Sequence, residues 1–159
     1  MISQALTEMV HGTFTKFQDY VPQAHVAAVV EAVRVLTPQP NTSPADLVDG
    51  IALQYAAVSH VSAHWQSAAK RAESDMETKR SREALAVRAE AKRDGTKMTV
   101  DQVNAEVETA TEIIRAQGTV DTCNELAAAS KALAMAVRMH HESLVERVRT
   151  ERADSRVGL

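Results

Sequence analysis

Proline, the strongest helix breaker, occurs only in the first part of this chain. All four prolines lie between residues 22 and 44, and no proline follows up to residue 159. Proline interrupts a helix because it has no backbone N–H and its ring clashes with the preceding turn. Ser43-Pro44-Ala45-Asp46 combines a serine N-cap, a proline at the first helical position and an acid in the first turn. The chain is therefore predicted to turn helical at Pro44 and to stay largely helical.

One long helix is predicted from residue 44 to about residue 94, a length of about 75 Å. The only glycine between Pro44 and Gly95 is Gly50, which weakens a helix without breaking it. Apolar residues recur at near-heptad spacing, which is typical of a face that packs on other helices. Beyond Met76 this face gives way to charge, and we expect that end of the helix to project past the core. The predicted core face comprises Leu47, Ile51, Tyr55, Val58, Val61, Trp65, Ala68, Ala69, Ala72 and Met76.

Shorter helices are predicted upstream of the long one. We expect a short helix at about 3–10, with irregular chain after Gly12. A second helix is expected from Pro22 to about Leu36, because proline suits the first turn of a helix. A loop over 37–42 follows from its two prolines. The predicted core face of the second helix comprises Val26, Val29, Val30, Val33 and Leu36.

Two further helices are predicted downstream. Asp94-Gly95-Thr96-Lys97 predicts a turn, and a capping box at Thr99 opens a helix expected to reach about Gln117. Gly118 is expected to end that helix, and Thr119 or Asp121 to cap a last one. The predicted core face of the last helix comprises Val120, Cys123, Leu126, Ala127, Leu133, Val137, Leu144 and Val148.

These elements predict an all-α fold, since no segment shows the alternation of a β-strand. We expect one domain over 1–159, with N-terminal helices and a loop (1–42) followed by a long-helix bundle (43–159). In this elongated bundle the helix at 44–94 packs against a C-terminal helix at about 119–152. Alanine occupies 27 positions and aromatic residues only 3% of the chain. Because alanine buries little surface, such a core gains from association, and a homo-oligomer is expected.

Few features indicate secretion, a membrane or catalysis. Cys123 is the one cysteine, so an intramolecular disulfide is excluded. The N-terminus lacks the pattern of a signal peptide, and no run of 18 apolar residues occurs. We therefore predict a cytoplasmic protein with no membrane span. Phosphate-binding glycine loops and nucleophile motifs are missing as well, so neither an enzyme nor a cofactor is predicted.

Histidines supply the main alternative to a non-enzymatic protein. His60 and His64 are one helical turn apart, as in some metal sites, but a third ligand and an intervening acid are missing. We favour a structural role for this pair and predict no metal. The alternative is a metal-dependent helical enzyme centred on His60 and His64. Cys123 is predicted to be a small buried hydrophobe. The adjacent His140 and His141 are expected to flank the core.

Basic charge is concentrated in one segment. Residues 70–97 carry nine basic and six acidic side chains, whereas the whole chain has a net charge of −3. Basic side chains along a rigid helix can follow a phosphate backbone and release its counterions. The alternative is a solvated helix face with i,i+4 pairs such as Asp75–Lys79. The candidate nucleic-acid contacts are Lys79, Arg80, Arg82, Arg88, Lys92, Arg93 and Lys97.

The order of elements points to a known family. The long helix ends in Glu83-Ala84-Leu85-Ala86-Val87-Arg88-Ala89-Glu90, a polar turn with a glycine and a capped helix follow, and the last helix contains Ser143-Leu144-Val145-Glu146-Arg147. Over about 60–150 this order resembles the UvsY-type recombination mediators of T-even phages. Those are small helical proteins that form rings, bind single-stranded DNA and help a RecA-like recombinase displace the single-strand-binding protein.

The resemblance implies a DNA contact at one position of a short run. The family's Ala-Leu-Lys-Ala-Arg corresponds to Ala84-Leu85-Ala86-Val87-Arg88, so the arginine carries over to Arg88 and the lysine is absent. Lys92 and Arg93 are expected to replace the lost charge.

Two functions remain open at this point. The first is an oligomeric, ring-forming mediator that binds single-stranded DNA and helps load a RecA-like recombinase, in the host cytoplasm if this is a phage protein. The alternative is a phage assembly factor or a helical protein that binds a host protein, without nucleic acid.

Overall fold

The computed structural model describes residues 4–37 and 42–157. These residues form five α-helices and no β-strand: α1 (Gln4–Lys16), α2 (Gln23–Leu36), α3 (Pro44–Arg93), α4 (Val100–Thr109) and α5 (Thr111–Val157). The predicted all-α fold is confirmed, including a very long helix, α3, that packs against the C-terminal helix α5. Among the described helices, none has both the length and the hydropathy that crossing a membrane requires. Of the predicted loop, residues 38–41 lie outside the described residues.

Two compact units divide the chain. The first unit comprises Met1–Trp65 and Glu125–Leu159, and the second comprises Gln66–Asn124. Both long helices contribute to each unit, because α3 and α5 each cross a boundary. The prediction of one domain with a division near residue 42 stays a prediction.

The first unit holds most of the apolar core. Its buried side chains recur every three or four residues along α1, α2, α3 and α5, as the packing of amphipathic helices requires. They include Val10, Phe14, Val29, Ala32, Ile51, Val58, Val61, Trp65, Leu126, Leu133, Val137 and Leu144.

The second unit has a smaller core, formed where α4 returns along the end of α3. Val103, Val107 and Ile113 are buried there, and Ala84 and Val87 of α3 pack against them. The expectation that the far end of α3 projects past the core is therefore wrong. One face of this end is covered, and the other faces remain exposed.

Two predicted helix starts are confirmed by their caps. The backbone N–H of Asp46 donates to Oγ of Ser43 at 3.2 Å, as expected of a serine N-cap. At α4 the capping box is complete, since Thr99 accepts from the N–H of Gln102 and donates its own N–H to the Gln102 side chain. Gly95 has φ +69°, the left-handed conformation that a glycine after a helix commonly adopts.

The first two helices differ from the prediction in extent and in orientation. α1 continues through Gly12 to Lys16, because Phe14 is buried one turn after Val10 and the packing outweighs the cost of one glycine. In α2 the buried face comprises His25, Val29 and Ala32 rather than the valine-rich face. The exposed residues of α2 include Val30, at 54%.

The predicted boundary at Gly118 is wrong. α4 ends at Thr109, and Ala110 adopts an extended conformation before α5 begins. The carbonyl of Ala110 accepts the N–H groups of both Ile113 and Ile114, so this one residue also starts the next helix. Glycine inside a helix costs only about 1 kcal/mol. Buried residues at helical spacing on both sides of Gly118, namely Ile113, Ala116, Val120 and Cys123, keep the helix intact.

Candidate nucleic-acid interface

All seven predicted contact residues lie in the second unit. Six are on the last four turns of α3, and Lys97 is in the turn that follows. Lys79 and Arg80 are half-buried, whereas the other five are exposed. The structure thus separates the predicted residues into two groups.

Lys79 and Arg80 form ion pairs within the fold. Nζ of Lys79 lies 2.9 Å from Oδ2 of Asp75 one turn earlier, which confirms the predicted i,i+4 pair. Nη2 of Arg80 lies 3.1 Å from Oε1 of Glu108, which joins α3 to α4. Because their charge is already matched by a carboxylate, these two residues have less charge to offer a polyanion.

The remaining five form the group named here the unpaired cations. Within residues 4–37 and 42–157, none of them makes an ion pair or a side-chain hydrogen bond. Their charges therefore face solvent without an internal partner, and binding a phosphate would not require breaking an existing pair. The unpaired cations are Arg82, Arg88, Lys92, Arg93 and Lys97.

Helical spacing places four of the unpaired cations on one side of α3. At about 100° per residue, Arg88, Lys92, Arg82 and Arg93 fall within a sector of about 140°. The four carboxylates of this part of α3 that have no ion pair among the described residues occupy a separate sector. Those carboxylates belong to Glu73, Glu77, Glu83 and Glu90. Asp75 falls at the edge of the cationic sector, but its carboxylate pairs with Lys79. The four cations are therefore not paired with acids of their own helix.

Arg71 extends this side but is not among the seven predicted contacts. It is exposed and lies 11 residues before Arg82, which in turn lies 11 residues before Arg93. Eleven residues make about three helical turns, so the three arginines follow one line along the helix, about 16.5 Å apart. The equal spacing is visible in the sequence, although charge density alone does not reveal it.

A histidine and tryptophan cluster lies in the first unit. The His25 ring on α2 is 4.7 Å from the His64 ring and 6.0 Å from the Trp65 ring, both on α3. Nδ1 of His25 and Nε1 of Trp65 are buried without a hydrogen-bond partner in the described part of the chain. Burial lowers the pKa of His25, and the neighbouring His64 and His60 lower it further.

Of the predicted pair His60 and His64, the second packs against this cluster. His64 is half-buried against His25, whereas His60 is exposed. Over the described ranges, no three residues among His, Cys, Asp and Glu are grouped so as to hold a metal ion. His25 was not singled out by the sequence, although its spacing to Val29 and Ala32 places it on one helix face.

Cys123 is buried on α5, where the apolar periodicity places it. Burial raises the pKa of its thiol, and the positive charge of Arg71 opposes that shift only in part. A raised pKa keeps the sulfur protonated at neutral pH, which makes it a poor nucleophile. This supports the predicted role as a small buried hydrophobe.

Comparison with protein-family models, with curated proteins and with solved structures finds no match to this chain. The resemblance to the UvsY-type mediators therefore stays a prediction.

Proposed function

We propose that this chain is a non-enzymatic, oligomeric recombination mediator that binds single-stranded DNA and helps load a RecA-like recombinase. The observation that carries the proposal is that four of the unpaired cations lie on one side of α3, in a chain whose net charge is −3. If the chain is a phage protein, it acts in the host cytoplasm.

Release of counterions from the nucleic acid provides the driving force for binding. A phosphate backbone holds condensed counterions, and each basic side chain that replaces one of them gains free energy from its release. The unpaired cations have no carboxylate to give up first, unlike Lys79 and Arg80. Phosphate contacts of this kind do not read sequence, so binding is expected to be salt-sensitive and indifferent to base identity.

Self-association would multiply this weak site. Met135 and Met139 are one turn apart on α5 and are 56% and 67% exposed. Exposed apolar residues that lie together favour a protein contact, and methionine adapts to varied partners. A ring of subunits would present several cationic helices to one strand, and the linked sites would bind far more tightly than one site alone.

Loading a recombinase then requires no bond to be broken. A strand held on the cationic sides of several subunits is kept extended and ordered, so a recombinase that binds the ordered strand loses less conformational freedom on binding. The contribution of the mediator is thus a binding free energy and not a catalytic step.

A charge-removal variant tests the proposal. The variant Arg82→Ala, Arg88→Ala, Lys92→Ala, Arg93→Ala is expected to bind a labelled oligothymidylate about 100-fold more weakly than the wild type. The measurement is fluorescence anisotropy at low and moderate salt. Equal affinity of the two proteins, or no binding by the wild type at low salt, would contradict the proposal.

A matched control removes the same charge elsewhere. Four exposed cations outside the α3 site also lack an ion pair in the described part of the chain: Arg115, Lys131, Arg147 and Arg152. Their replacement by alanine changes the net charge equally, and the resulting protein is expected to bind nearly as well as the wild type. A comparable loss in the control would indicate a general charge effect and not an interface on α3.

The exposed methionines also favour the second candidate, an assembly factor or host-protein-binding helical protein without nucleic acid. Replacing Arg88, Lys92 and Arg93 by glutamate distinguishes the two, because an assembly function is expected to survive the exchange whereas DNA binding is not.

A further inference from the structure

An exposed leucine lies among the unpaired cations. Leu85 is 66% exposed on α3. At about 100° per residue it lies close to the midline of the cationic sector, with Arg82 three residues before it and Arg88 three residues after it. These two arginines are therefore its nearest charged neighbours on that side, one turn away in each direction.

At this position Leu85 contributes little to the stability of the fold. The covered face of this part of α3 is formed by Ala84 and Val87, which contact the core of the second unit. A largely exposed leucine contributes far less to folding than a buried one, because most of its apolar surface stays in water. Its surroundings are cationic, so the surface it offers suits a partner that is both anionic and apolar.

A single nucleic-acid strand combines those two properties. Its phosphates are anionic, and an unpaired base has an apolar face that is free to pack on a side chain. In a duplex the same faces are stacked within the helix, and reaching them costs the energy of unstacking. A strand whose phosphates lie on Arg82 and Arg88 would have its bases within reach of the side chain between them.

We propose that Leu85 packs against the base faces of a bound single strand and gives the cationic side of α3 its preference for unpaired over paired nucleic acid. This inference rests on the proposed function and extends it, because phosphate contacts alone do not distinguish single strands from duplexes. Contact with a base face is indifferent to base identity, since every base has one.

Two leucines of the same helix provide the test and its control. Leu85→Ala is expected to weaken binding of an oligothymidylate about fivefold while leaving a duplex of equal length unchanged. Leu53 on α3 is 71% exposed but lies in the first unit, away from the unpaired cations in sequence. Leu53→Ala is therefore expected to change neither affinity.

A gain-of-function variant keeps the test independent of lost stability. Leu85→Trp enlarges the surface available for stacking and is expected to strengthen oligothymidylate binding about tenfold, again without effect on the duplex. Weaker binding by Leu85→Ala together with stronger binding by Leu85→Trp would support the contact with bases.

The failures can be told apart. If the wild type binds oligothymidylate and Leu85→Ala binds it equally well, the role of Leu85 is overturned and the proposed function stands. If the wild type binds no oligothymidylate, the proposed function itself fails. If Leu85→Ala lowers the molar mass measured by light scattering, Leu85 is a subunit contact and the inference is overturned.

Discussion

The two parts of α3 follow one helical geometry but carry different surfaces. From Pro44 to Trp65 the helix has no lysine or arginine, and Ile51, Val58, Val61 and Trp65 are buried. From Gln66 to Arg93 it carries eight, and its one fully buried apolar residue is Ala69. A helix that relies less on its own apolar face for stability can leave more of its circumference to charge. The first part therefore serves folding, and the second is available for binding.

The largest expected effect tests the folding role of the first part. Ile51 is 1% exposed, so Ile51→Ala is expected to lower the free energy of unfolding by about 2–5 kcal/mol. Leu53, two residues later and 71% exposed, is the control. Leu53→Ala is expected to change the free energy of unfolding by less than about 0.5 kcal/mol. Urea denaturation followed by circular dichroism measures both. Similar losses would show that burial does not distinguish the faces of this part of α3.

Titratable groups of the first unit give the next effect. The pKa of His25 in the folded protein lies below its ordinary value of about 6.5, because of burial and of His64 and His60. As the pH falls below about 6.5, the unfolded chain takes up a proton that the folded one does not. Stability is therefore full above that pH and declines below it, by at most about 1.4 kcal/mol per pH unit for this one group.

Replacement of the histidine checks this pH dependence. His25→Phe is expected to make the loss of stability between about pH 6.5 and pH 5 shallower, with a remainder from His140, whose pKa is also lowered by burial. His11→Gln, at an exposed position of α1, is the control. The measurement is the urea midpoint of each protein across this pH range. If the midpoint of His25→Phe declined with falling pH as steeply as that of the wild type, the explanation would be refuted.

Because the core of the second unit is small, the capping of its helices is expected to contribute noticeably to its stability. Removing the Thr99 hydroxyl by Thr99→Ala breaks half of the capping box and is expected to cost about 1 kcal/mol. Thr96→Ala, at an exposed residue of the preceding turn, should cost less than about 0.5 kcal/mol. Hydrogen exchange of the α4 amides reports the change locally, and unaltered protection in Thr99→Ala would contradict it.

The smallest expected stability effect separates paired from unpaired cations. Arg80→Ala removes the pair with Glu108 and is expected to cost up to about 1 kcal/mol, whereas Arg82→Ala should leave stability within about 0.5 kcal/mol. Oligonucleotide binding should show the opposite order, with the larger loss for Arg82→Ala. If Arg80→Ala weakened binding more, the division into the two groups would be mistaken.

Much of the fold was predictable from the sequence, because long helices leave strong signals. The cap at Ser43 and the glycine at 95 located α3 to within one residue at each end. The predicted helix end at Gly118 is wrong because the helix propensity of glycine is a local property. Burial of Ile113 and Val120 on either side keeps the helix continuous. The break at Ala110 has no marker residue in the sequence, since alanine is a strong helix former.

The candidate site was predictable only in part. Charge density located the basic segment, but which cations pair depends on where α4 returns, and only the structure places Glu108 beside Arg80. Likewise the exposure of Leu85 depends on which side of α3 is covered, and the contacts of Ala84 and Val87 with the core of the second unit decide that.

The salt dependence of single-strand binding tests the central claim most directly. If the unpaired cations on α3 neutralise phosphates, log affinity falls linearly with log salt, and the magnitude of this negative slope decreases by about 0.7 for each contact removed. The variant with alanine at residues 82, 88, 92 and 93 is then expected to show a slope about 3 units shallower than the wild type. Equal slopes for this variant and the wild type would show that these side chains do not bind the strand.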